Sequence, residues 1–582
     1  MGTYVATASK PRPRALLGER APWGVLTAAV GVAVWLIVDP RTPDLAAQVY
    51  RANLFREAGF LVWDSRWYGG HDIPGYSLVF PPLGALVGVR AVGAAAVLAS
   101  ATLFERIAVR VYGRAARWGA VWFALAALGD AWSGRITFAL GVSFALGAVL
   151  ALMHRRLLAA AILAAVCAAC SPVAGVLLAL AGLTHTLVER SPRSLLVLGV
   201  PAVVVAGALA GLFGEGGWEP YPLLSFLATV AAIAAFLVAL PDRQRLLRVG
   251  GVVYLVACVT CVAVHSPMGA NVERYGVLLA GPLLLCALQS SGRRRSAMRS
   301  SRGPFSAVRS SRGWFAAVRS SGGRFSEVQS SRGRVSAVAV VVLVGIGVWT
   351  VWGPLRETEA VAGNLSTSAS YYLPVERFVA AHGGSTVRVE VPFTRGHWEA
   401  AWLAPKVSLA RGWEKQLDER YDGVLLGKGL TAGEYRRWLN AEAVGYVALP
   451  DAPLDPSSAG EGRLIEAGLP YLREVQRTLH WRIYEVRHAT PLAQGPGALT
   501  AVGHDWFSLR ARAGGRFLVR MRYTRYFTVA AGAACVGAAP GGWTEVSASR
   551  AGAVTVAARF SLGRALGLAG RSCRGQPVGA RS

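Results

Sequence analysis

This 582-residue sequence is short of charge: 16% of its residues are charged, and 33 acids stand against 61 basic side chains. A soluble average is about 25% charged. Here the apolar residues, 53% of the chain, gather in long blocks instead of periodic faces, which excludes an ordinary soluble globule and implies a polytopic membrane protein. No P-loop, HExxH helix, GxSxG elbow or dinucleotide fingerprint occurs in a supporting context, so ATP-driven transport and hydrolase chemistries lose weight. Cysteine is sparse too, at seven residues. Cys167/Cys170 and Cys258/Cys261 have CxxC spacing, which suits zinc in a soluble protein. Both pairs lie in apolar blocks, where a free thiol behaves as a small hydrophobe. Cys535 and Cys573 lie beyond the last block, where an oxidising compartment permits a disulfide.

Apolar blocks at 22–38, 78–105, 118–130, 137–153, 157–170, 173–188, 194–213, 223–240, 249–265, 275–290 and 336–353 predict about eleven transmembrane helices, each needing roughly 20 residues to cross. The net charge of +28 would suit nucleic acid, but the arginines sit in short connections between blocks, so no nucleic-acid partner is expected. Arg12, Arg14 and Arg20 precede the first block, Arg106, Arg110, Arg114 and Arg117 follow the second, and Arg155, Arg156, Arg190, Arg193, Arg243, Arg245 and Arg248 follow alternate later ones. The positive-inside rule then sets a cytoplasmic N-terminus and an extracytoplasmic C-terminal region in a multi-pass plasma-membrane protein. The expected organisation is a tail at 1–21, a transmembrane domain at 22–290 with an outer loop at 39–77, a disordered basic loop at 291–336 built on a ten-residue repeat, and a last span at 337–353. Beyond it, 354–496 reads as an α/β domain, 497–570 as a β-sandwich-like domain and 571–582 as a tail. Within the α/β unit, Thr431 and Glu434 form a capping box before Tyr435, Trp438 and Leu439.

The first outer loop concentrates chemistry. Asp44 follows Thr42-Pro43, the N-cap and first position of a helix, where the dipole favours an acid. An ionised carboxylate at that depth also suits a general base that takes the proton of an attacking hydroxyl. Asp64, His71 and Asp72 are secondary acid or base candidates, and Trp67 and Tyr68 acceptor-binding ones, although loop acids commonly serve turns. Farther on, Arg274, beside Glu273, and Arg135 are candidates for gripping a phosphate, since guanidinium matches it bidentately. Glu215 and Glu219 are further outer-face candidates. In the α/β domain, Trp398, Glu399 and Trp413 combine aromatic faces with polar groups in the manner of a sugar platform. Aromatics equally build cores.

The segments WDSRWYGGHDIPGYSLVFPPL, GRITFALG and NVERYGVLLAGPLL, with an inside N-terminus and an early acid in the first outer loop, make residues 20–290 resemble the GT-C superfamily of polytopic glycosyltransferases. The likeness is to actinobacterial, arabinofuranosyltransferase-like members with an extracytoplasmic C-terminal domain. The resemblance implies a polyprenyl-phosphate-linked sugar donor, a cell-envelope glycan acceptor, membrane lipids as surroundings, and Asp44 as the activating acid. No cofactor is required, and the first loop has no DxD motif to support a divalent metal. The competing readings are a transporter or flippase of envelope precursors, which would place ionisable residues near the bilayer midplane, and a non-catalytic cell-wall assembly protein.

Overall fold

The computed structural model describes residues 22–214, 216–300, 324–427 and 429–567. The N-terminal tail, Glu215, residues 301–323 of the repeat and the 571–582 tail lie outside them.

Every predicted apolar block is helical, and the outer loop adds one further helix, α2: α1 (Trp23–Val38), α2 (Pro43–Ala58), α3 (Phe80–Val87), α4 (Val89–Tyr112), α5 (Arg117–Trp132), α6 (Ile136–Met153), α7 (Leu157–Cys170), α8 (Pro172–Glu189), α9 (Val200–Phe213), α10 (Leu223–Ala239), α11 (Arg245–Ala263), α12 (Glu273–Ser300) and α13 (Arg324–Val361). Length separates them. Among the described residues seven helices are long and apolar enough to cross a membrane, and an eighth if the bent pair α1–α2 is one span, against the eleven or so expected by the roughly 20-residue criterion. α7 and α10 are apolar but shorter. The block at 78–105 is split because Gly88, at φ 93°, turns the chain between α3 and α4. The 291–336 segment is helical at its edges, since α12 runs to Ser300 and α13 starts at Arg324.

The α1–α2 pair bends by 81° where Asp39 takes a left-handed conformation and Pro43 restarts the helix. Thr42 directs its hydroxyl to the Trp132 carbonyl at 2.8 Å instead of capping α2. Residues buried on α2 include Leu45, Gln48, Tyr50, Arg51 and Leu54, so burial extends around the helix, beyond the single face its sequence suggests. The reason lies above it. The short helix Glu399–Trp402 of the C-terminal region packs on α2.

That region has two parts. A mixed five-stranded sheet runs in the order 408–409, 388–390, 444–450, 481–486, 472–477, with its first three strands parallel. The capping box forms, and Tyr435, Trp438 and Leu439 beneath it are buried. Two antiparallel four-stranded sheets follow, 527–531, 552–558, 506–511, 497–502 and 534–538, 543–548, 515–522, 493–494, sharing a core that includes Phe507, Phe517, Val546 and Val556. Cys535 on this sandwich is disulfide-bonded. Its expected partner, Cys573, lies outside the described residues.

The connection from α2 to α3 is wedged between all three units. Its hairpin, Trp63–Asp64 with His71–Asp72, donates Ser65 N–H to the His504 carbonyl at 2.6 Å and accepts Leu409 N–H on Arg66 O at 2.8 Å and Arg522 N–H on Gly69 O at 2.8 Å. Trp67 is fully buried, stacked between Tyr50 at 4.4 Å and His71 at 5.2 Å, with its indole N–H on the Ala400 carbonyl. Truncating such a side chain removes apolar contact and leaves a cavity. Trp67→Ala is expected to cost about 3–5 kcal/mol, read as a lowered thermal unfolding midpoint and faster proteolysis at the junction with the C-terminal region.

Candidate functional site

Two separated sequence candidates, Asp44 and Arg135, meet at the end of the helical bundle that carries the C-terminal region, and a third, Arg274, acts electrostatically on the acids beside them. Gly134, at φ 80°, makes the turn between α5 and α6, and a Cβ there would stand 2.3 Å from the Leu45 nitrogen. That close approach brings the first turn of α2 against the turn and places Asp44 beside Arg135. Arg135 Nε lies 3.3 Å from Asp44 Oδ2, and its terminal nitrogen lies 3.0 Å from Glu357 Oε1 on α13. All three side chains are partly open to solvent. Arg274, in the first turn of α12, sets its guanidinium 5.3 Å over the Phe138 ring and acts electrostatically on Asp130, Glu219 and Glu357.

Arg274 pairs neither with its neighbour Glu273 nor with any other described acid, while Glu273 accepts the Thr229 hydroxyl at 3.1 Å. An arginine left without a carboxylate partner is available to an external anion. Beneath it lies apolar space. A cavity of about 100 Å³ lined by Phe138, Tyr275 and Leu278 shares Leu146, Val149, Ala181 and Leu279 with a larger one of about 550 Å³ that continues down the bundle.

The roof of this region is the connection between α9 and α10. Glu219 N–H bonds the Ser266 carbonyl at 3.0 Å, and Gly216 and Gly217 lie against Arg420 and Gln416 of the C-terminal domain. Burial pushes the Glu219 carboxyl up to about 7, opposed by the charges of Arg274 and Lys415. Asp418 is likewise pushed up to about 7 by burial, against a 2.8 Å hydrogen bond from the Tyr68 hydroxyl. The cluster therefore has more acids than cations.

The other candidates sit elsewhere. Asp64 is fully buried, accepting the Tyr50 hydroxyl at 2.6 Å and facing His504 Nδ1 at 3.0 Å. His71 is buried, with Nδ1 3.2 Å from the Asp64 carbonyl, and burial lowers its pKa. Asp72 is mostly covered, and burial raises it to about 7 against the pull of Arg525. Trp67 and Tyr68 are fully buried, and the Tyr68 hydroxyl accepts the Glu414 N–H at 2.9 Å. Trp398 is buried with its indole on the Arg41 carbonyl at 2.9 Å, and buried Glu399 accepts the Thr394 hydroxyl at 2.7 Å. All of these side chains but Asp72 are buried and offer no face to an acceptor. Trp413, stacked 3.4 Å from His397, stays half-buried. Cys167, Cys170 and Cys258 are buried free thiols, and among the described residues no group of three His, Cys, Asp or Glu side chains is arranged to hold a metal.

Glu357 and Asp130 were missed in the sequence. Asp130 carried a signal, being an acid inside an apolar block. Glu357 follows the last apolar block and reads as part of the next domain until α13 is seen to continue to Val361.

No protein-family model matches the chain, and no curated protein does. A solved structure, the crystal structure of ArnT from Cupriavidus metallidurans bound to undecaprenyl phosphate, is similar at 15% identity with a TM-score of 0.43, over 81% of this chain and 99% of that one.

Asp64 supplies a pH test. Burial alone would raise its pKa, but the His504 hydrogen bond and charge, with the Tyr50 hydroxyl, hold it below the ordinary value. A depressed carboxyl contributes stability that is fully present above its unfolded pKa of about 3.9 and is lost as pH falls through the lower folded value. Thermal unfolding followed from pH 7 downward is expected to show this acid limb in the wild type. Asp64→Asn is expected to be less stable at pH 7 and to lose that part of the pH dependence.

Proposed function

We propose that this protein is a membrane glycosyltransferase of the GT-C kind, moving a sugar from a polyprenyl-phosphate-linked donor to an extracytoplasmic cell-envelope glycan. One observation carries the reading: an arginine with no acid partner among the described residues, Arg274, stands at the head of apolar space and in one charged cluster with Asp44, Arg135 and Glu357. A lipid-linked donor needs apolar room for its chain and a cation for its phosphate, and this arrangement supplies both.

In the proposed inverting displacement, the acceptor oxygen forms its bond to the anomeric carbon as the bond from that carbon to the phosphate oxygen breaks. Asp44 takes the hydroxyl proton, and the bonding pair leaves with the phosphate. Arg274 stabilises the charge growing on that phosphate, where a preorganised donor is worth most. Arg135 holds the Asp44 carboxylate while Glu357 balances the second side of the guanidinium. Of the acceptor-side candidates, Trp413 is the half-buried one, with His397 stacked on its ring. Asp72 is the secondary acid that remains partly accessible. The arginine-rich end of the bundle, opposite the C-terminal region, faces the cytoplasm in this reading.

A flippase is the second reading, favoured by cavity space that runs toward the arginine-rich end. Purified protein given synthetic polyprenyl-phosphate sugars and a glycan acceptor separates the two. Transfer is expected in the wild type, reduced about 10²–10⁴-fold in Asp44→Asn as for loss of a general base, with Arg274→Gln also lowering kcat. Undiminished transfer by Asp44→Asn removes Asp44 from the mechanism, and substrate counterflow in liposomes without transfer favours the flippase.

A further inference from the structure

The larger cavity has a second end. It is walled mainly by aliphatic and aromatic side chains of α4, α6, α8, α10, α11 and α12, and its volume of about 550 Å³ falls within the range of small-molecule sites. At the end remote from the C-terminal region its lining turns polar, with Arg155, His185, Arg193 and Ser194. Arg155 sits at φ 59° in the α6–α7 turn and Arg193 in the short connection after α8. Both are exposed, and neither is ion-paired to any described residue. Ser194 Oγ and His185 Nδ1 lie 2.9 Å apart in the same polar part of the lining.

The acids near this end are committed or outnumbered. Asp242 pairs with Arg248 at 2.8 Å, and Glu105 accepts the Val25 N–H at 3.1 Å. Glu189 is followed by Arg190. Two unpaired cations above an apolar slot inside a membrane bundle match one chemistry, an anionic headgroup whose acyl chain enters the slot. Along α6 the lining of the two cavities runs from Phe138 to Met153, which at 1.5 Å per residue is about 22 Å of apolar length.

We propose that Arg155 and Arg193 form a second lipid site, binding the phosphate of an anionic phospholipid at the arginine-rich end with one acyl chain in the larger cavity. The site is distinct from Arg274 and stands whether or not the chain transfers a sugar.

Native mass spectrometry of the full chain released from phosphatidylcholine nanodiscs, with and without phosphatidylglycerol, tests it. The wild type is expected to retain one phosphatidylglycerol. Arg155→Gln with Arg193→Gln is expected to retain it about thirtyfold more weakly, as for two lost interfacial cation contacts. Ala181→Phe, which fills the space common to both cavities while keeping the arginines, is expected to lose the lipid too, and Arg274→Gln is expected to keep it. Excess inorganic phosphate is expected not to displace the lipid. Thermal unfolding in phosphatidylcholine alone confirms that each variant is folded. Equal retention by the folded double variant overturns the proposal. So does retention by folded Ala181→Phe, and so does displacement by phosphate, which would mark a free-anion site without a chain. Loss in Arg274→Gln would mean that the retained lipid occupies the other end.

Discussion

The architecture depends on burying one carboxylate. Asp64 has no exposure, and its charge is met by His504, which lies 440 residues farther along the chain. An isolated ion in such a place would be heavily penalised, so the hairpin that carries it keeps its shape only while the sandwich is docked. The same segment carries Trp67 between Tyr50 and His71, and Arg51 beneath it pairs with Glu414 while covering the Tyr76 ring at 3.8 Å. These contacts clamp α2 from above. Because α2 is clamped, its first turn has one position against the α5–α6 connection, and Asp44 meets Arg135 there. The placement of the reactive candidate is thus a product of packing on its far side.

The charged cluster follows a different logic. Its acids are more numerous than its cations, and they are not equally ionised near neutrality, since burial brings Glu219 and Asp418 to about 7. Asp44 lies against a guanidinium and is partly open to water. Arg274 lies among carboxylates yet is paired to none of the described ones. An anion arriving there would exchange diffuse attraction for direct contacts, while the neighbouring acids would limit how tightly it is held.

Much of this was legible as pattern. The apolar blocks announced helices because membrane segments must satisfy their backbone internally, and Thr431 with Glu434 announced the helix over Tyr435 because the capping box is local. Thr42-Pro43-Asp44 marked the start of α2 for the same reason. What was not legible is pairing at a distance. Trp67, Tyr68 and Trp398 have the composition of a sugar platform and the position of an interdomain core, and only contacts across hundreds of residues distinguish these roles. The broken block at Gly88 shows the converse, a single residue without a Cβ overriding a continuous apolar signal.

Arg135 joins the second helix of the chain to the last one of the bundle, holding Asp44 with one edge and Glu357 with the other. During synthesis these carboxylates emerge far apart in time, and the C-terminal domains emerge later still. A nascent or truncated chain can insert most of its helices and still leave Arg135 half-neutralised, α2 uncovered and Asp44 unheld. The Asp44–Arg135–Glu357 arrangement is therefore complete only after the last helix of the bundle has been made, however early its first two members are placed.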